Sequence, residues 1–376
     1  MHSKKFKWLI ISLVLVGYLV LDSIIFNVSL VNRAVSVGLA IDMDGKYINL
    51  TAQVVLPKNG GVSSGGNNYI NYTAKGVDIY DAIDKIGVMS GTELSIAHTI
   101  VIVLGREVIE NDKFDILEQL LSDNKINDNV DILMAEGKAQ DIMTARVPTS
   151  EVASYQLYRL MNPVKHPVGM PHITLKEFVQ NLHKENMPNY LPIVTKKPVP
   201  PSSDQESGGE SEADMLIIDR AAVMDKTGYK GELSIDETIG LSFLTEDLKD
   251  GTIEITDSNG DSVSVQIVES KSKLKFDIKN EKLVIDIDMK TVRKTGRVGE
   301  GGILYYNMSE SEIVQFKKVV SGYIDKCIDF SVQNKVDILD IALGFYKRNP
   351  KSKDYYYSEA FTKNLTIEYN ISIIEK

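Results

Sequence analysis

The chain has 376 residues, with 42 Lys and Arg against 52 Asp and Glu, and 43% of it is hydrophobic. That length allows two or three packed units, and a net charge of -10 argues against the basic stripe that nucleic-acid binding needs. Cys327 is the single cysteine, which excludes an internal disulfide, a cysteine-built zinc site and an iron–sulfur cluster.

Lys4, Lys5 and Lys7 precede an apolar run from Trp8 to Phe26. As a helix this run is about 28 Å long, close to the thickness of a bilayer core. No basic residue follows it until Arg33, so the positive-inside rule predicts a cytoplasmic N-terminus, one membrane span and an extracytoplasmic remainder. Phe26-Asn27-Val28-Ser29-Leu30 offers no small-residue cleavage pair and no lipobox cysteine. An uncleaved anchor in contact with the lipid bilayer is the expectation.

Val35, Val37, Leu39 and Ile41 alternate, Asp42-Met43-Asp44-Gly45 turns, and Tyr47 to Leu56 returns, which predicts a strand pair. Gly60, Gly61, Gly65 and Gly66 mark a flexible loop without the following Lys-Ser/Thr of a phosphate cradle. Ile79, Ala82, Ile83 and Ile86 predict an amphipathic helix. Thr99 to Leu104 reads as a strand buried on both faces. A helix over Phe114–Leu121 and a strand over Val130–Ala135 complete a mixed α/β unit.

Pro148-Thr149-Ser150-Glu151 predicts a helix start near Val152, and Thr174 with Glu177 offers a capping box for a second helix. Pro188, Pro192, Pro198, Pro200 and Pro201, followed by the serine-rich and acidic stretch to Asp214, read as an exposed linker over 188–214. Met215–Met224 and Tyr229–Leu233 then read as a strand pair, and Ser234 with Glu237 caps a short helix. Period-two alternation from Ile253 to Met289, turning at Asn259-Gly260, predicts a meander of about four antiparallel strands. Ser309 and Glu312 box a long helix with Phe316, Val320, Ile324 and Cys327 on one face. A helix near Val336–Tyr346 and a strand over Leu365–Ile373 close the chain.

Reactive chemistry is sparse. His98, His166, His172 and His183 have no metal-ligand spacing, and no Gly-x-Ser-x-Gly, His-Glu-x-x-His or Walker pattern occurs. Cys327 sits on an apolar stripe and reads as core. Asp337 and Asp340 share a helix face, as solvated pairs also do. No catalytic residue, cofactor or metal is expected.

Several stretches together resemble the Ger(x)C family of spore germination proteins, the C subunits of nutrient germinant receptors. They are Ser36-Val-Gly-Leu-Ala-Ile-Asp42, Ala97-His-Thr-Ile-Val-Ile-Val-Leu-Gly-Arg-Glu107 and Ala135-Glu-Gly-Lys-Ala-Gln-Asp-Ile142. Beyond the linker they are Asp219-Arg-Ala-Ala-Val-Met-Asp225, Gly231-Glu-Leu-Ser234, Lys335-Val-Asp-Ile-Leu339 and Phe361-Thr-Lys-Asn-Leu-Thr-Ile367. The family's lipidated cysteine and the Trp-Asp pair after it are missing, and the apolar run stands in their place.

The resemblance implies an α+β fold: a three-domain extracytoplasmic ectodomain of mixed and antiparallel sheets flanked by helices, on one transmembrane helix. The expected units are 1–32 (cytoplasmic tip and anchor), 33–147, 148–248 with the linker 188–214, and 249–376. It also implies a non-enzymatic assembly and signalling scaffold on the outer face of the inner spore membrane, with two integral membrane receptor subunits as partners. Arg106, Glu107, Phe361 and Leu365 are the candidate partner-interface residues. The alternative is an anchored envelope ligand-binding sensor, or an enzyme of unknown substrate, sharing the fold.

Overall fold

The computed structural model describes residues 33–55, 69–122, 125–148, 152–162, 170–184, 187–200, 213–245, 248–257, 260–299 and 302–375, with residues 13 and 15–17. The anchor expected at Trp8–Phe26 lies outside the described residues except Leu13 and Leu15–Gly17, which are helical. Among the described residues, no helix is long and apolar enough to cross a membrane. The glycine-rich loop, His166, Asn259 and the acidic stretch 201–212 also fall outside.

Two sheets organise the described residues. The first contains β1 (Arg33–Asp44), β2 (Tyr47–Val55), β3 (Tyr69–Gly76), β4 (Glu93–Ser95), β5 (Val101–Leu104), β6 (Asp131–Ala135), β7 (Asn189–Pro198), β8 (Asp214–Asp225) and β9 (Gly228–Leu233). Its order is β3-β2-β1-β5-β6-β7-β8-β9, with β4 beside the start of β1. β1, β5, β6 and β7 run parallel, and β5 and β6 are buried along their whole length. Helices on both faces explain why these strands read as continuous apolar runs rather than alternating ones. Ile102, Leu104, Ile132 and Met134 meet the helices Ile79–Ser90, Asp115–Ser122 and Leu175–Leu182 on one face. Val101, Val103, Leu133 and Ala135 meet Ala139–Met143 and Ala153–Met161 on the other.

The proline-rich reading of 188–214 needs correction. Residues 189–198 are strand β7, an interior member of the sheet with Leu191–Val194 buried. Pro192 lacks an N–H for a ladder, and the sheet accommodates it beside a register shift between Ile193 and Val194. β6 pairs with β7 only from Ile193 onward, so the missing donor interrupts no bond there. Strand β3, unpredicted from sequence, adds an edge to β2 in antiparallel register.

The second sheet has β10 (Leu248–Thr256), β11 (Ser262–Asp277), β12 (Lys282–Gly299), β13 (Gly302–Tyr306) and β14 (Thr366–Glu375). The expected meander is present but has three strands rather than four over Ile253–Met289, because β11 runs unbroken through both expected middle strands, with Ile253 opposite Val265 and Leu274 opposite Ile285. β14 joins β12 in parallel. The inner face, including Val265, Ile285 and Ile287, is covered by the long helix Glu310–Gln333 through Phe316, Val320, Ile324 and Cys327, all fully buried. Both arms of the Ser309–Glu312 capping box form, an arrangement worth about 1 kcal/mol. The outer face is laced with ion pairs, among them Lys290–Glu269 at 2.8 Å and Lys282–Glu368 at 2.6 Å. The last predicted helix begins at Ile341 rather than Val336, because Asp337 accepts three backbone N–H bonds in a turn first.

The halves share one strand. In β8, Ala222 and Met224 face the first sheet's core while Ala221 and Val223 face the core of the second.

Candidate functional site

Polar residues gather where β5 and β6 end. Leaving β5, Gly105 accommodates Asp42, for a Cβ there would stand 2.1 Å from Asp42 Oδ1. The Asp42 carboxylate accepts the N–H groups of Ala139 at 2.7 Å and Gln140 at 2.9 Å, capping the helix that leaves β6. Burial pushes its pKa up, against these two hydrogen bonds.

Arg106 opens the short helix Arg106–Glu110 and serves three elements at once. Its Nε donates to the carbonyl of Glu136 at 2.7 Å, Nη1 reaches Glu110 at 3.1 Å, and Nη2 reaches Glu232 of β9 at 2.6 Å. Arg220 of β8 pairs with Glu136 and lies 3.9 Å from Glu232. Tyr229 donates its hydroxyl to Glu232 at 3.3 Å, and burial together with that carboxylate raises its pKa to about 12. Beyond the helix, Asp112 Oδ1 accepts the N–H of Tyr229 at 3.0 Å. The segment 106–112 thus clasps the β8–β9 hairpin at two points.

Chemically this is a network of neutralised charges. It holds opposite signs in contact, and it presents neither a nucleophile beside a base nor a set of converging metal ligands. Among the described residues no group of His, Cys, Asp and Glu could hold a metal ion. His172 binds the buried Asp131 at 2.7 Å and His183 binds Glu118 at 3.3 Å, while His98 is exposed. Cys327 is buried, and burial pushes its thiol pKa up, the opposite of an activated cysteine.

The four residues singled out from sequence fall in two places. Arg106 belongs to the cluster, and Glu107 beside it is exposed. Phe361 is 2% exposed in the second core, with ring centroids 5.0 Å from Phe345 and 5.1 Å from Tyr356. Leu365 is half-buried against the same core. Glu136, Arg220 and Glu232 were not singled out, although each lies in a motif quoted for the resemblance. Arg106, Glu136, Arg220 and Glu232 are distant in the chain and assemble into one cluster.

Residues 27–196 match the spore germination protein N-terminal domain, and residues 219–374 match the spore germination B3/GerAC-like C-terminal domain. The chain belongs to the Ger(x)C family of spore germination proteins. It is similar to spore germination protein KC of Bacillus subtilis (strain 168), 24% identical over 94% of this chain and 91% of that protein. It is also similar to spore germination protein B3 of the same organism, 28% identical over 68% of this chain. That second match spans 65% of the length of B3. Its fold is similar to the crystal structure of the GerBC protein, with a TM-score of 0.53 at 21% identity, covering 90% of this chain and 96% of that one. The Arg106–Glu232 contact of this Ger(x)C protein joins its two matched regions.

Proposed function

We propose that this Ger(x)C protein acts in spore germination as a non-enzymatic subunit of a nutrient germinant receptor. It works as an assembly and signalling scaffold, anchored by Trp8–Phe26 on the outer face of the inner spore membrane. The observation that carries the reading is the match of both family domains, in order, to a chain similar to two spore germination proteins. The neutralised cluster supports it, since opposite charges already paired are suited to fixing one element against another. The exposed apolar residues Leu13, Leu15 and Val16, helical and more than half exposed, support an anchor in lipid.

Two integral membrane receptor subunits are the proposed partners, and the exposed face beside Arg106 and Glu107 is the proposed contact. Phe361 and Leu365 stand apart from that face, in and against the core of the second sheet. The test is an affinity pull-down of the full chain from membrane extracts of dormant spores. Co-purification of two polytopic proteins, weakened by Glu107→Lys in a chain that remains folded, is the expected result. Recovery of the chain alone, or its absence from spores, would overturn the receptor reading.

A further inference from the structure

Three large apolar side chains stand exposed at one end of the first sheet: Ile70 at 39%, Val88 at 83% and Met89 at 51%. Ile70 of β3 lies opposite Val54 of β2, on the face covered by the helix Ile79–Ser90, because Val54 packs in the core on that side. Val88 and Met89 occupy the last turn of that helix. Gly91, with φ at 69°, turns the chain toward β4, and Glu93 of β4 pairs with Arg33 both in register and through an ion pair at 3.8 Å. Arg33 is where β1 begins. These three side chains therefore gather at the end of the sheet where the chain enters it, while Val77, 66% exposed, stands alone by the β1–β2 turn. Val77 and the β1–β2 turn lie at the opposite end, since Gly76 pairs with Ile48 and Ile48 with Met43.

Residues 27–32 alone separate Phe26, the end of the apolar run, from Arg33. Fully extended, that connection reaches about 25 Å. β1 by itself is roughly 36 Å long at the usual rise per residue. A bilayer that holds the run through Phe26 thus stays within about 25 Å of the start of β1, and the far end of the strand meets it only if the connection is drawn out nearly straight and the strand folds back along it.

We infer that this end of the first sheet is a membrane-docking face, with Val88 and Met89 entering the boundary between headgroups and acyl chains. The inference rests on the anchored reading above. Apolar side chains leave water for that boundary by the hydrophobic effect. A few of them hold a free protein only weakly, but the tether already keeps them at high local concentration, so they can set orientation. The Arg106–Glu232 cluster, built from the C-terminal ends of β5 and β6, then points away from the bilayer, so the receptor subunits proposed to meet it do so through parts that rise above the membrane.

The test places one cysteine at a time, Val88→Cys, Met89→Cys or Val77→Cys, in the full chain and labels it with an environment-sensitive fluorophore. Cys327 is buried and stays unlabelled in the folded protein. Each protein is reconstituted into phosphatidylcholine–phosphatidylglycerol vesicles carrying a nitroxide on the upper acyl chain. Blue-shifted, nitroxide-quenched emission at positions 88 and 89, absent at position 77, is expected. Vesicle flotation without quenching at 88 or 89 would overturn the docking face while leaving the anchor intact. Equal quenching at 77 would overturn the stated orientation. Failure of the full chain to float would remove the anchored reading and this inference with it.

Discussion

Arg106 and Glu232 meet at 2.6 Å across the seam between the segment following β5 and the β8–β9 hairpin. The arginine is 31% exposed and the glutamate 21%, so the pair is partly shielded and part of a network rather than an isolated surface bridge. Arg106→Ala also removes the bond to the Glu136 carbonyl. The expected loss is about 1–2 kcal/mol of stability, with a coupling of roughly 0.5–1 kcal/mol in a double-mutant cycle with Glu232→Gln. Urea unfolding of the full chain at low and high salt measures it, and the coupling should shrink as salt rises.

Gly240 lets two helices touch. A Cβ on it would lie 2.1 Å from the carbonyl oxygen of Tyr323 and 2.9 Å from Cys327 Cβ. Alanine ordinarily gains about 1 kcal/mol over glycine inside a helix. Here backbone stands in the way and cannot swing aside, so overpacking outweighs propensity. Gly240→Ala should lower stability by about 1–3 kcal/mol and shift the urea midpoint without changing its slope. Earlier alkylation of Cys327 under mild denaturant would report the same opening.

The apolar rhythm made most of the fold readable. Val101–Leu104 announced a doubly covered strand, and the Ser309–Glu312 box placed the first turn of the long helix correctly. β7 escaped because its local signal, prolines flanking a short apolar core, is that of a linker. Only pairing with β6 and β8 makes it a strand, and such pairing overrides local preference. β3 escaped because Tyr69–Gly76 carries Asn71 and Lys75 on an edge with little to bury. The cluster was half visible. Arg106 could be singled out, but its partners Glu136 and Glu232 are distant in the chain, and only the sheet order β5-β6-β7-β8-β9, with the helix after β5 laid against β9, brings them together.

Asp340 carries the clearest pH signature. Its backbone is left-handed at φ 50°, one carboxylate oxygen is buried with no hydrogen-bond partner among the described residues, and its pKa is raised to about 6. Burial is the main cause and the neighbouring charge of Asp337 the second, with Lys347 and Lys184 opposing them. Asp337 is itself raised by burial, against the three N–H groups it accepts. Tyr190 packs nearby and donates its hydroxyl to the carbonyl of Ile338. An acid whose pKa is higher in the folded state binds protons there more readily than in the unfolded chain. Its ionisation therefore costs the native state nothing below about pH 4 and its full amount above about pH 6. Partial exposure discounts that amount to on the order of 1 kcal/mol. Asp340→Asn should stabilise the protein by about that much at pH 7, change little at pH 4, and flatten the fall in stability between them. Asparagine also accepts the left-handed backbone readily. Urea midpoints of both proteins across pH 4–7 decide it. Parallel curves would mean that Asp340 is not the group titrating in this range.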